Sequence, residues 1–353
     1  MAGIAMRGRL AAAVVLLSAI AGVGRAHAAD VVRVGTGPFI SGGGFYIARD
    51  KGYFEKMGIT IETRQFIDGS MAVPAMIAGE LEITNLPAAA NLFNSIAKGA
   101  PLVIVLDWGH NKPGRAYTAT NVTPELYDAG VRGLGDFAKL KGKTIGVGAL
   151  GSINQYNVAK GLEKAGLNPA KDVKWVVNVG QPDLMKMLGQ KQVDVTDLAY
   201  QFGVFAKQNN WGPIIATGDQ VAPGGQIAAY AAHRNFVEKR RDVMVRFAVA
   251  YLQGVKEFNE AAGDPDKHGD VLDILAKNTA LNKPELVKAI APNWSYINED
   301  GMPQVDSIMD MQEFWSGPNF KFVEKKITRD QLFDLSIARD AKARLDRDKP
   351  FAK

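Results

Sequence analysis

The sequence contains no cysteine and only four histidines. The first absence excludes disulfides, thiolate zinc sites and thiol nucleophiles together. The second leaves His110, His233 and His268 scattered beyond the first 28 residues, with no H-E-x-x-H and no pair at helical spacing. A histidine-based metal site is therefore not expected. No G-x-S-x-G elbow occurs, and carboxylates are spread evenly, as on solvated helix faces. No catalytic set stands out, and the expected class is a binder without enzymatic activity, cofactor or metal. Beyond residue 28 no apolar run is long enough to span a membrane.

The chain begins MAGIAMRGRLAAAVVLLSAIAGVGRAHAAD. Arg7 and Arg9 form a positive start, Leu10 to Val23 an apolar run, and Ala26-His27-Ala28 a small-x-small site. This is the pattern of a cleavable secretory signal peptide over residues 1–28. No cysteine follows the site, so a lipid anchor is excluded, and Arg7-Gly8-Arg9 is not a twin-arginine pair, so export in the unfolded state is expected. Removing Arg7, Arg9 and Arg25 with the leader lowers the formal charge from +5 to +2. The basicity belongs to the leader, and no nucleic-acid partner is implied. A soluble monomer in the periplasm is expected.

Strand-like and helix-like segments then alternate, as in an α/β fold with largely parallel sheets. Strands are expected at 31–35, 59–65, 83–86, 102–106, 144–147, 173–177, 193–198, 211–216 and 226–232. Helices are expected at 45–51, 70–77, 88–98, 134–140, 152–165 and 182–188. From Asn235 helices dominate, over 236–262, 271–277, 283–290, 305–315 and 330–345, the last with a Thr328/Gln331 capping box. The pattern switches near Ala116 to Ala119 and again near Pro223 to Ile227. Two lobes are expected, 29–117 with 226–353 and 118–225, joined by two crossings around a cleft that can close on a ligand.

Thr144 to Leu162 reads TIGVGALGSINQYNVAKGL, in which Gly146, Gly148 and Gly151 spell G-x-G-x-x-G. A dinucleotide site would place an acid at the end of the next strand; Asn178 stands there instead. What remains is a tight turn at Gly151, an N-cap at Ser152 and a helix N-terminus suited to an anion, with Asn154 beside it. Asp68-Gly69-Ser70 offers a similar start in the first lobe, with Ser70 as cap. Ser41-Gly42-Gly43-Gly44-Phe45 follows the first strand, where three glycines suggest close backbone approach to a ligand. Pro87 and Trp108 also stand at strand ends, and Trp108 with Phe45 would wall an apolar pocket. Asp197 and Tyr200 end a strand of the second lobe; Trp294 and Tyr296 are further aromatic candidates. Each serine also has a simpler role as the cap of its own helix.

The stretches GPFISGGGFYIARDKGYFEKMGITIETRQFIDGS, AGELEIT and LKGKTIGVGALGS resemble the periplasmic substrate-binding proteins of ABC transporters for nitrate, sulfonates, taurine and related small organic anions. The match runs through Ala48-Arg49 and Gly52-Tyr53-Phe54 to Gly58, then through Lys141-Gly142-Lys143 and Gly151-Ser152. The resemblance implies a two-lobed fold of class II type that traps an organic anion, a sulfonate or carboxylate, and delivers it to an inner-membrane permease. It also implies that Ser70 and Ser152 approach the anionic group. Members often carry histidine shortly after the second-lobe gly-ser, where this chain has Asn154 and Gln155. Enzymes of the same fold rely on cysteine, which this chain lacks. A ligand-sensing protein that docks on a membrane receptor is the alternative.

Overall fold

Each run of alternating strands and helices closes into its own sheet. The computed structural model describes residues 29–66 and 69–352. The expected signal peptide and Asp68 lie outside them. The strands are β1 (Asp30–Thr36), β2 (Ile59–Gln65), β3 (Ile83–Pro87), β4 (Leu102–His110), β5 (Thr118–Val122), β6 (Thr144–Gly146), β7 (Lys174–Val176), β8 (Val195–Ala199), β9 (Ile214–Thr217) and β10 (Gln226–His233). One sheet has the order β2-β1-β3-β10-β4 and the other β7-β6-β8-β5-β9. The helices used below are α1 (Gly43–Asp50), α2 (Ala90–Ala97), α3 (Ile153–Lys164), α4 (Gln181–Gly189), α5 (Arg241–Gly263) and α6 (Val305–Ser316).

In each sheet a single strand runs against the rest. β10 is antiparallel to both β3 and β4, and β5 is antiparallel to both β8 and β9. Each reversed strand is the first one after the chain passes from one sheet to the other. The two passages are stitched at Asn111. Its N–H donates to Gly225 O at 2.9 Å, its carbonyl accepts from Gly224 N at 3.0 Å, and its Oδ1 accepts from Tyr117 N at 3.3 Å.

β5 is absent from the sequence reading, because its TATNV run is polar where a central strand is normally apolar. The polarity is absorbed internally. Asn121 Nδ2 donates to Gly203 O and Gly212 O, Thr120 Oγ1 to Asp197, and Thr118 Oγ1 accepts from Asn157 Nδ2. The helix at Tyr200–Gln208 was likewise not expected. The last expected helix is two, Arg329–Leu332 and Ser336–Asp348, because Phe333 between them turns extended and bridges to Ile104 of β4. The capping box of Thr328 and Gln331 is present at the start of the first.

The triple glycine corrects the sequence reading. It is not a ligand loop but the start of α1, packed on α5. A Cβ on Gly43 would stand 2.2 Å from a Phe258 ring carbon, and one on Gly254 of α5 would stand 2.1 Å from Gly44 O. The glycines let two helix backbones approach more closely than side chains normally permit. Ser41 and Phe45 are fully buried with them, Phe45 5.6 Å from the Phe54 ring in the main core.

Candidate functional site

The cavity between the two sheets gathers residues from the loops and strand ends that face the other lobe. It is lined by Phe39 after β1, Gly69, Asn85 and Pro87 of β3, Trp108 of β4, and Tyr117 in the first passage. Ser152, Ile153 and Asn154 open α3, Gln181 opens α4, and Ile227 and Ala228 begin β10. Ligand sites of open α/β sheets lie beyond such strand ends. The free space is about 40 Å³. One water takes roughly 10–15 Å³ on this measure, so the closed cavity holds only a few atoms' worth of space.

The lobes touch around it. Ala90 N, at the start of α2, donates to Gly151 O at 3.1 Å. Tyr156 of α3 meets the Phe314 ring of α6 edge-on at 4.9 Å, and Asn319 Nδ2 donates to Glu163 at 3.0 Å.

The second-lobe wall follows from α3. Ser152 is its N-cap, with Oγ accepting from Gln155 N at 3.3 Å, and Gly151 N donates to Gln155 Oε1 at 2.7 Å. The first-turn amides of Ile153 and Asn154 have no intrahelical acceptor and carry the positive end of the helix dipole. Gln181 Oε1 is taken by Ala199 N, which leaves its amide NH2 for the cavity. Beneath Asn154 lies Asp197, fully buried. Burial pushes its carboxyl up to about 7, against hydrogen bonds from Thr120, Asn154 and Thr118 that favour the ionised form. Among the described residues no charged side chain lines the cavity.

Where the two passages meet, Asp107 holds four partners. Its Oδ1 accepts from Gly109 N and Gln226 Nε2, both at 2.8 Å, and its Oδ2 accepts from Asn298 N at 2.8 Å and lies 2.9 Å from His110 Nδ1. This carboxylate ties the end of β4, the start of β10 and the loop at Asn298 into one hinge block.

The expected site residues therefore divide. Pro87, Trp108, Ser152 and Asn154 line the cavity, with Gly151 at its rim and Asp197 directly beneath Asn154. Ser41, Gly43, Gly44 and Phe45 lie in the core instead. Ser70 caps no α-helix; it sits inside the 3-10 turn Gly69–Ala72, and Gly69 rather than Ser70 lines the cavity. Tyr200 begins the Tyr200–Gln208 helix outside the lining, its N–H donating to Tyr117 O at 2.7 Å. Trp294 is in the core and Tyr296 beside His110, neither in the lining. The sequence reading missed Phe39, Tyr117 and Gln181 as wall residues; Phe39 and Gln181 follow strand ends, the signal that would have found them. Among the described residues no group of three or more His, Asp or Glu is placed to hold a metal, and no helix is long and apolar enough to cross a membrane.

Known proteins resemble this chain in sequence or fold. A candidate binding protein of Brucella abortus is 25% identical over 241 residues, covering 68% of each chain. The alkanesulfonate-binding protein SsuA of Xanthomonas axonopodis pv. citri, solved with bound MOPS, superposes with a TM-score of 0.64 at 16% identity, covering 87% of this chain and 97% of that one. The periplasmic nitrate-binding protein NrtA of Synechocystis superposes with a TM-score of 0.69 at 12% identity, covering 92% and 91%. These likenesses establish the two-lobed periplasmic-binding-protein fold. The family model described as NMT1/THI5 like matches residues 41–267, well over half of the chain, and the protein belongs to that family.

Proposed function

We propose that this protein is the substrate-binding component of an ABC import system. It captures a small organic anion, a sulfonate or carboxylate, between its lobes and delivers it to a permease in the inner membrane. The lobes are taken as 29–117 with 226–353 and 118–225, with residues 1–28 removed on export to the periplasm. The carrying observation is a cavity walled by both lobes whose second-lobe wall is the start of α3, with its free first-turn amides. A helix N-terminus holds an anionic group without a cationic side chain, which fits a wall whose described residues carry no cationic side chain. Binding without turnover, as a monomer, completes the reading, and the solved sulfonate- and nitrate-binding relatives of the same fold support it.

The test is a thermal-shift screen over sulfonates, nitrate, aliphatic and aromatic carboxylates and thiamine precursors, followed by small-angle scattering. A ligand that binds only the native state at a hundredfold excess over Kd adds about 2.7 kcal/mol. A binder from this set that compacts the monomer and is recovered unchanged is the expected result. Shifts from cations or neutral sugars alone, or turnover of the bound compound, overturn the reading.

A further inference from the structure

Asn154 is the second residue of α3, and its amide has two ends of opposite character: the NH2 donates and the carbonyl accepts. What lies beneath decides which end meets the cavity. Asp197 Oδ1 is 2.8 Å from Asn154 Nδ2, and Asp197 Oδ2 accepts from Thr120 Oγ1 at 2.8 Å. A carboxylate only accepts, so it takes the nitrogen and turns Asn154 Oδ1 away from itself. Among the described residues none donates to that oxygen, on a residue that lines the cavity. The first lobe contributes a second such group. Asn85 is 4% exposed, lines the same cavity, and its Oδ1 has no partner among the described residues. Asn85 Oδ1 is shut from solvent, and leaving such an acceptor unmade is costly. A ligand N–H or O–H relieves that cost, whereas a donor-free anion sets further acceptors against the two oxygens.

Resting on the binding-protein reading above, we propose that Asp197 is a specificity-determining positioning residue. By holding the Asn154 nitrogen it makes that wall an acceptor. With Asn85 Oδ1 it selects ligands that carry an N–H or O–H group beside the anionic group at the start of α3. The side chain of Asp197 is met by hydroxyls of Thr118 and Thr120 from β5 and the amide of Asn154 from α3, with no charged group among them.

The test is calorimetry on the full chain at about pH 8.5, above the pKa of about 7. Matched probes are 2-aminoethanesulfonate against ethanesulfonate, 3-aminopropionate against propionate, and hydroxyacetate against acetate. The wild type is expected to favour the donor-bearing member of a bound pair at least tenfold. Asp197→Asn has an amide that donates to Asn154 Oδ1 and turns the Asn154 nitrogen to the cavity, so the preference should vanish or invert. Asn154→Leu should abolish it with the Asp197 carboxyl kept, at the loss of one of its hydrogen bonds, and serves if the first variant does not fold. The Asn154 side-chain amide in ¹⁵N spectra should be protected from exchange in the wild type and lose protection in Asp197→Asn. A wild type that prefers the donor-free member overturns the proposal, as does a preference unchanged in the folded variants, while the binding-protein reading stands. No binding by any probe or any compound of the anion screen overturns both.

Discussion

Gly151 and Ala90 meet across the cleft in a contact that admits no extra atom. Gly151 O accepts the Ala90 N–H at 3.1 Å, and a Cβ on Gly151 would lie 2.7 Å from the Ala90 Cβ. Gly151 has φ +69, the left-handed region where a non-glycine residue costs roughly 1–2 kcal/mol. Gly151→Ala should therefore do two separable things: lower stability by about that amount, and hold the lobes apart. Ligand affinity is expected to fall at least tenfold, with scattering showing a more open particle. Adding Ala90→Gly restores the space but not the dihedral, so affinity should return while the melting temperature stays low. A double variant as weak in binding as Gly151→Ala would show that closure does not run through this contact.

Ser152 combines a cap with a place in the cavity wall. Ser152→Ala should cost about 1 kcal/mol of stability through the cap. If its hydroxyl also donates to an anionic ligand, the loss of a charge-assisted bond of roughly 1.5–3 kcal/mol weakens Kd by about ten- to a hundredfold. Calorimetry well below the melting temperature separates the two. Unchanged affinity with earlier melting would leave Ser152 as a cap alone.

Asp107→Ala removes the acceptor for two backbone N–H groups, the Gln226 amide and His110. The Gln226 amide keeps Gly109 O at 2.8 Å and Ala228 O at 2.7 Å, but the other three donors lose this acceptor, at roughly 1–3 kcal/mol for each group left unsatisfied. A loss of about 3 kcal/mol or more is expected in urea unfolding, with the binding stoichiometry of the surviving folded fraction unchanged. A loss under about 1 kcal/mol would mean that the hinge block is held elsewhere.

What the sequence made legible followed from local physics. β2 alternates apolar and polar residues, and its expected bounds, Ile59–Gln65, match the strand. The Thr328/Gln331 box is a local hydrogen-bond pattern and was equally readable. The start of α3 was found from a glycine turn and a capping serine. What failed depends on partners far along the chain. Gly43 and Gly44 read as a ligand loop because nothing local says that Phe258 and Gly254 will press against them. Thr118 to Val122 was given no strand because its buried polar side chains are satisfied by residues 39 to 91 positions away. Asp197 was read as a ligand group at a strand end; its neighbours place it one layer below, holding Asn154.

The same carboxyl gives stability a pH dependence of unusual sign. In the unfolded chain Asp197 titrates near 3.8, whereas burial raises it to about 7 in the fold, hydrogen bonds from Thr120, Asn154 and Thr118 notwithstanding. Between those values the native state keeps a proton that the unfolded state has released. Its contribution to stability is full below about 3.8 and is lost as pH rises through about 7. Asp30 acts in the opposite sense, because hydrogen bonding from Arg246 lowers its pKa and its contribution is lost as pH falls through that lowered value. Urea midpoints from about pH 5 to about pH 8 therefore isolate Asp197 from it. Wild type should lose stability relative to Asp197→Asn across that range, by at most about 3 kcal/mol, because the variant stays neutral throughout. Parallel curves would place the carboxyl in a wetter site than its full burial describes. The proton that stabilises the fold also supplies a donor to Asn154 Oδ1, freeing the Asn154 nitrogen to turn toward the cavity. The preference for donor-bearing ligands should weaken as pH falls through the same midpoint, so the folding curve and the binding curve of the wild type share one pKa.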